Sequence, residues 1–157
     1  MITFKHTYVD EDPGETIVTE DALYEAPQQP MGNAPAADPK AKAAEFFARC
    51  RAASTAAHFA HLMTPSYAQH VALNTFYDEI VTLADAFAET FIGRYGKFDA
   101  FPNVKESATD GLIIVGNLTK WIDANRAVIT EFSEIQNEID NVVNLCNSTA
   151  YKLRELK

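Results

Sequence analysis

Apolar residues recur along the chain at steps of three and four positions, the spacing of one face of a helix, and no strand pattern competes with it. The pattern is longest in the middle of the chain. Its members there are Tyr67, Val71, Leu73, Phe76, Tyr77, Ile80, Leu83, Ala84, Phe87 and Phe91. A second run near the end consists of Ile135, Ile139, Val142, Val143, Cys146, Ala150 and Leu153. The pattern predicts long helices, each with one buried face.

Capping residues divide this part of the chain into four helices. The predicted starts are Asp38-Pro39, Thr64-Pro65, a capping box from Ser107 to Asp110, and a second box at Ser133 and Gln136. The first helix is expected over about 38–62, and Gly93 and Gly96 are expected to end the second. Gly111 and Gly116 weaken the third helix unless close packing needs them. Four helices with short connections predict an all-α four-helix bundle.

The first 37 residues have a different composition. The segment YEAPQQPMGNAPAADP is rich in proline, alanine and glutamine and has no periodicity, which is typical of an extended linker. Seven acids and one base, Lys5, precede residue 38, so this part carries a net charge of −6. We predict an extended acidic arm over 1–37 and the bundle over 38–157, with the arm as the segment that a protein partner would bind.

Charge and hydropathy exclude several classes of function. The formal net charge is −9, and affinity for nucleic acid depends mainly on lysine and arginine, so direct DNA binding is not expected. No apolar run reaches the roughly 18 to 20 residues of a membrane span, so no membrane association is expected. The start has no apolar core of signal-peptide type, and Cys50 and Cys146 lie inside helical stretches, so we expect the reducing cytoplasm.

Histidines and acids are concentrated where the first two helices meet. Three of the four histidines lie between residues 56 and 74, and polar residues continue along one stripe of the second helix as far as Glu89. His70 and Asp85 are separated by about 22 Å along a helix, whereas metal ligands lie roughly 2.0 to 2.6 Å from their ion. The two ends of this stripe in one chain therefore cannot bind the same ion.

Two copies of the chain remove this difficulty. If two second helices pack antiparallel about a two-fold axis, the histidine end of one meets the acidic end of the other. The predicted metal ligands are His58, His70 and Asn74 of one protomer with Asp85 and Glu89 of its mate, and His61 and Asp78 are further candidates. Imidazole with carboxylate suits iron(II), and also zinc or manganese. Singly, such residues are more often caps, satisfied core side chains or a solvated face, so the prediction depends on their joint spacing.

This spacing resembles that of the DNA-binding proteins from starved cells, the Dps or mini-ferritin branch of the ferritin-like superfamily. The residues that carry the resemblance are His58, His70, Asn74, Asp85 and Glu89. Their successive intervals of 12, 4, 11 and 4 residues all match the family's motif. Phe59 stands where the family often has tryptophan, and LADAFAE is similar to its D-x-x-AE signature. The similarity covers residues 40–95 and extends to 105–157 only as two further helices of suitable length.

The resemblance implies a ferritin-like bundle whose metal ligands come from both subunits of a dimer. It implies a ferroxidase that oxidises iron(II) with peroxide or oxygen and stores ferric mineral in a dodecamer. Asn74 departs from the family's aspartate and replaces an anionic ligand by a neutral amide. Asp78, one turn away, is the candidate that supplies the missing charge, whereas His61 is either a substitute ligand or a side chain that points at solvent. The family's basic DNA-binding tail is absent, and the acidic arm stands in its place.

A second function is consistent with the same bundle. In this alternative the chain is a non-catalytic structural or interaction protein, and its partner binds the arm, which could order on binding. If the chain is phage-encoded, it is a virion component or a factor that acts on the host, and its location is the host cytoplasm or the virion.

Overall fold

The computed structural model describes residues 38–156, and the arm predicted over 1–37 lies outside these described residues. Four helices make up the described part: α1 (Pro39–Met63), α2 (Tyr67–Tyr95), α3 (Gly111–Ile129) and α4 (Ser133–Glu155). No strand occurs between residues 38 and 156. The predicted all-α four-helix bundle is confirmed. Within the same residues, no helix combines the length and the apolar character needed to cross a membrane.

The order of the helices around the bundle is α1, α2, α4, α3. α1 packs against α2 and α3, and α4 packs against the same two helices. Connections of three residues, 64–66 and 130–132, join α1 to α2 and α3 to α4, so each of these pairs runs antiparallel. The connection between α2 and α3 is 15 residues long, over 96–110. The expectation of short connections is therefore wrong at this one place.

The long connection runs beside α1 from its beginning towards its end. Lys40 Nζ, in the first turn of α1, lies 3.6 Å from Asp99 Oδ2, and further along α1 the ring of Phe47 lies 5.2 Å from that of Phe101. The connection ends where a Cβ on Gly111 would lie 2.7 Å from Leu73 Cδ2, near the start of α2. α3 therefore starts at the same end of the bundle as α2 and runs parallel to it.

The core fills the space between the four helices. The rings of Phe46 on α1 and Phe87 on α2 lie 4.4 Å apart at its centre. The largest fully buried side chains are Phe46, Phe76, Phe87, Phe91, Leu73, Ile80, Ile114, Ile122, Ile129, Ile135, Ile139 and Val115. The residues of the predicted apolar run of α2 are buried or partly buried except at its start, where Tyr67 is 82% and Val71 46% exposed. These two side chains lie on the outer face of α2 rather than in the core.

One predicted helix start, that of α1, is confirmed in position, and the cap of α3 lies three residues after the predicted cap. The carboxylate of Asp38 accepts a hydrogen bond from the amide of Lys40, with proline at the first helical position. Asp110 caps α3 by accepting from the amide of Ile113 at 3.0 Å, so the cap is Asp110 itself and not Ser107.

The other two predicted caps are wrong, although both helices begin within two residues of the predicted starts. Thr64 ends α1, and Ser66 caps α2 by accepting from the amide of Gln69. The N-cap position of α4 is Phe132, whose side chain has no atom that can cap the helix. Gln136 donates to the carbonyl oxygens of Arg126 and Thr130, before the helix, and does not take part in a capping box. At the far end of α2, Gly96 is the C-cap with φ of +79°, whereas Gly93 lies inside the helix.

Candidate metal-binding residues on α1 and α2

One outer stripe of α2 carries the predicted polar residues. A helix turns about 100° per residue, so these positions fall within an arc of roughly 100°. All of them are exposed: His70, Asn74, Asp78, Asp85 and Glu89. α2 is an uninterrupted helix across this stretch, so the stripe is straight and its two ends stay about 22 Å apart.

At the α1 end of the stripe, His61 and His70 form a reciprocal pair. His61 Nδ1 lies 2.8 Å from the carbonyl oxygen of His70, and His70 Nδ1 lies 3.0 Å from the carbonyl oxygen of His61. Their rings stack with centroids 3.6 Å apart and planes 25° apart. A carbonyl oxygen can only accept a hydrogen bond, so both Nδ1 atoms carry the hydrogen. In the neutral form of either ring, the free lone pair is therefore on Nε2, the atom available to a metal.

The pair also corrects the expectation for His61. Its side chain is buried, with 7% of the residue exposed, so it does not point at solvent. His70 is the exposed member of the pair. His70 also satisfies one of the last carbonyl groups of α1, which a helix leaves without an internal partner.

His58, the other predicted histidine ligand, stacks on a tyrosine of α2. Its ring centroid lies 4.3 Å from that of Tyr77, with planes 21° apart. The hydroxyl of Tyr77 donates to Asn74 Oδ1 at 2.9 Å, and Asn74 Nδ2 lies 3.4 Å from Asp78 Oδ2. Tyr77 therefore connects the α1 histidine with the polar stripe of α2, and Asp78 lies beside Asn74 as predicted.

Sequence reasoning assigned Tyr77 only to the buried face of α2, and its second role was missed. The residue lies three positions after Asn74, a spacing at which side chains on a helix meet. That spacing was the available signal for the hydrogen bond. The stack on His58 depends on how α1 and α2 pack, which the sequence does not give.

The acidic end of the stripe lies apart from the histidines. Asp85 and Glu89 are exposed, and neither forms a hydrogen bond or ion pair with another described residue. Among residues 38–156 of a single chain, no group of three or more histidine, cysteine, aspartate or glutamate side chains is placed to hold a metal ion. One protomer thus brings His58, His61 and His70 together but does not bring them to the two acids.

Apolar side chains surround the histidine end on the protein surface. They are Phe59, Leu62 and Met63 at the end of α1, with Tyr67 and Val71 at the start of α2, and each is 46% to 82% exposed. Exposed apolar residues grouped in this way are typical of a surface that another molecule covers.

The two cysteines take no part in this region. Cys50 and Cys146 are buried free thiols. Burial raises the pKa of the Cys50 thiol well above its usual value and that of Cys146 to about 12. Both side chains are therefore neutral core residues at physiological pH.

Most of the four-helix bundle is similar to a known protein family. A family model described as a family of unknown function, DUF5856, matches residues 61–153. This span is more than half of the chain. The chain belongs to the DUF5856 family. The matched part of this DUF5856 protein begins at His61 in the last turn of α1 and includes α2, α3 and nearly all of α4.

A relative of this DUF5856 protein comes from a bacteriophage. It is described as an uncharacterized 14.6 kDa protein in the mobD-ri intergenic region of Enterobacteria phage T4. The two are 28% identical over 115 residues, which cover 71% of this chain and 88% of the relative. No solved structure matches the chain. The relative fits the expectation of a phage-type protein, and it carries no assigned function.

Proposed function

We propose that this DUF5856 protein forms a two-fold dimer through the α1–α2 face and binds a transition metal, iron first, at two equivalent sites across the seam. The observation that carries the proposal is the polarity of the α2 stripe. The imidazole of His70 stands at one end and the carboxylates of Asp85 and Glu89 at the other, all exposed, and they are too far apart along the helix to meet within one chain. An antiparallel pair of α2 helices joins each histidine end to a carboxylate end.

The connection between α2 and α3 supports the same proposal. Four-helix bundles with one long crossover include the ferritin-like folds, in which side chains from facing helices bind metal ions. Here the 15-residue connection makes α3 run parallel to α2. The topology is therefore one on which metal-binding carboxylate and histidine sets are found.

The exposed apolar residues around the histidines give further support. A dimer face needs apolar area that is removed from water, because burial of that area supplies most of the association free energy. Tyr67 and Val71 lie on the same stripe of α2 as His70, and Phe59 and Leu62 lie on α1 beside it. A mate that covers the stripe covers these residues as well.

Under this proposal iron(II) is the substrate. His58 and His70 of one subunit and Asp85 and Glu89 of the other hold it with a coordination position open to peroxide or oxygen, which takes the electrons as iron(II) becomes iron(III). Asn74 contributes a neutral amide, and its oxygen already accepts the Tyr77 hydroxyl. The site therefore has less negative charge for iron(III) than a mini-ferritin site with aspartate at this position.

Native mass spectrometry with metal analysis tests this function. We expect the purified protein to be a dimer or a larger even-numbered assembly, with one iron or cobalt bound per chain after loading. His70→Ala should lose at least tenfold in affinity, whereas Glu79→Gln should not, because Glu79 is exposed on α2 but lies off the stripe. A wild-type protein that stays monomeric and binds no metal would refute the proposal.

A second function is favoured by the exposed apolar residues and the phage relative together. In this alternative the α1–α2 turn or the arm binds a protein partner, and the bundle is a structural support without metal. Removal of residues 1–37 distinguishes a partner that binds the arm from one that binds the α1–α2 turn. Loss of a partner contact with unchanged metal binding supports an interaction role for the arm, whereas a metal-free protein with a partner bound at Phe59 and Tyr67 supports the purely structural role.

A further inference from the structure

In the stacked pair of His61 and His70, the proposed set of metal ligands does not explain why the His61 ring is buried. Only one of the two rings is exposed, yet both donate from Nδ1 to the other residue's backbone. We infer that His61 is a positioning residue that holds the His70 ring with Nε2 directed outward for the metal, and that it is not a ligand. This inference rests on the proposed metal site at His70.

The geometry of the pair excludes a shared ion. The lone pair of an imidazole nitrogen lies in the plane of its ring, and a metal ion lies about 2.0 to 2.1 Å from that nitrogen. The two rings are close to parallel with centroids 3.6 Å apart. Lone pairs in two such planes point side by side and do not converge on one ion. His61 is therefore not the substitute ligand that its spacing from His58 suggests.

The position of His61 explains how it acts on His70. Its ring is buried against the bundle and anchored by the 2.8 Å hydrogen bond to the His70 carbonyl. It forms a fixed surface on which the exposed His70 ring rests. Metal-binding histidines characteristically donate their second nitrogen to a carbonyl or carboxylate, which sets the tautomer, and loss of such support costs roughly 10- to 100-fold in metal affinity.

His70 Nδ1 donates to the backbone carbonyl of His61, which every variant of residue 61 retains. Substitution of the His61 side chain therefore tests the ring stack while the acceptor of this hydrogen bond stays in place. His61→Ala removes the ring, and His61→Phe keeps an aromatic ring of similar shape with no nitrogen. Thr55→Ala, an exposed position on the same helix, is the matched control. Circular dichroism and thermal unfolding establish that each variant is folded.

The first readout needs no metal. In metal-free protein, nitrogen-15 NMR should show His70 protonated at Nδ1 with one ring orientation in wild type, Thr55→Ala and His61→Phe. His61→Ala should show both tautomers or averaged signals for His70. An unchanged His70 in His61→Ala would overturn the positioning role whether or not the protein binds metal.

The second readout is titration with Co(II) followed by its visible absorption. We expect His61→Ala to weaken binding by roughly 10-fold, the lower end of the loss caused by removal of an outer-shell support, because the hydrogen bond of His70 to the His61 carbonyl remains, and His61→Phe to stay within about threefold of wild type. Equal loss in both variants would show that metal binding needs a nitrogen of His61 and not the stacked ring alone, and it would overturn the inference. Absence of Co(II) binding in wild type would contradict the proposed function, while the NMR result would still decide the role of His61.

Discussion

At the scale of single residues, Asn74 decides how much charge the proposed site carries. Its amide accepts from Tyr77 and lies 3.4 Å from the carboxylate of Asp78. An aspartate at this position would lose the donor to Asp78 and place two like charges one turn apart, which destabilises a helix. In the metal-free protein the amide thus bonds to both neighbours, whereas a carboxylate would repel Asp78.

Asn74→Asp should therefore change stability and metal affinity in opposite directions. We expect the metal-free variant to unfold more readily, by about 0.5 kcal/mol from repulsion of Asp78, and to bind iron or cobalt roughly tenfold more tightly, the effect of ~1.4 kcal/mol. Denaturant unfolding without metal and Co(II) titration measure the two effects. Asp78→Asn combined with Asn74→Asp is the control, because it removes the repulsion. Unchanged or weaker metal binding by Asn74→Asp would contradict a position of residue 74 beside the ion.

The buried cysteines give a prediction on pH. Their folded-state pKa values are raised by burial, so their contribution to stability is complete below the unfolded pKa of about 8.5 and is lost as the pH rises towards about 12, the pKa of Cys146. We expect the free energy of unfolding to decline above pH 9 and no thiol to react with a disulfide reagent in native protein at pH 8. Both thiols should react after denaturation. Rapid reaction of either thiol in native protein would contradict their burial.

At the scale of helices, the apolar spacing predicted which faces are buried, because burial of one face is what stabilises these helices. The exact starts of α2 and α4 were not predicted. Ser66 lies only two residues after Thr64, and both are residue types that cap helices. Gln136 is drawn away from a capping role because it donates to the carbonyl oxygens of Thr130 and Arg126, contacts that exist only once α3 and α4 are packed.

The two glycines of α3 should respond oppositely to substitution. A Cβ on Gly116 meets no atom within 4 Å, so Gly116→Ala should stabilise the protein by roughly 0.5–1 kcal/mol through the better helix propensity of alanine. A Cβ on Gly111 would lie 2.7 Å from Leu73 Cδ2, where the first residue of α3 approaches a buried side chain near the start of α2. Gly111→Ala should therefore be less stable than Gly116→Ala in guanidinium unfolding. The reverse order would contradict the close approach of Gly111 to Leu73.

At the scale of the whole molecule, the sequence predicted the bundle and the separation of the two ends of the stripe. It could not predict the pairing of His61 with His70 or the stack of His58 on Tyr77, because both are contacts across the α1–α2 turn that depend on helix rotation. Because a helix rises about 1.5 Å per residue, an ion bound within one chain can contact ligands at only one end of the stripe, however the helices pack. The proposed seam between protomers follows from that limit.

Complementation between two defective chains tests the shared site most directly. One chain carries His70→Ala, the other carries Asp85→Asn with Glu89→Gln, and differently tagged copies are co-expressed so that the mixed dimer can be isolated. In a mixed dimer one site loses both halves, and the other keeps His70 of one chain with Asp85 and Glu89 of its mate. We predict that each homodimer binds little or no metal and that the mixed dimer binds half as much as wild type. A mixed dimer that binds no more metal than the two homodimers would contradict a site built from both protomers.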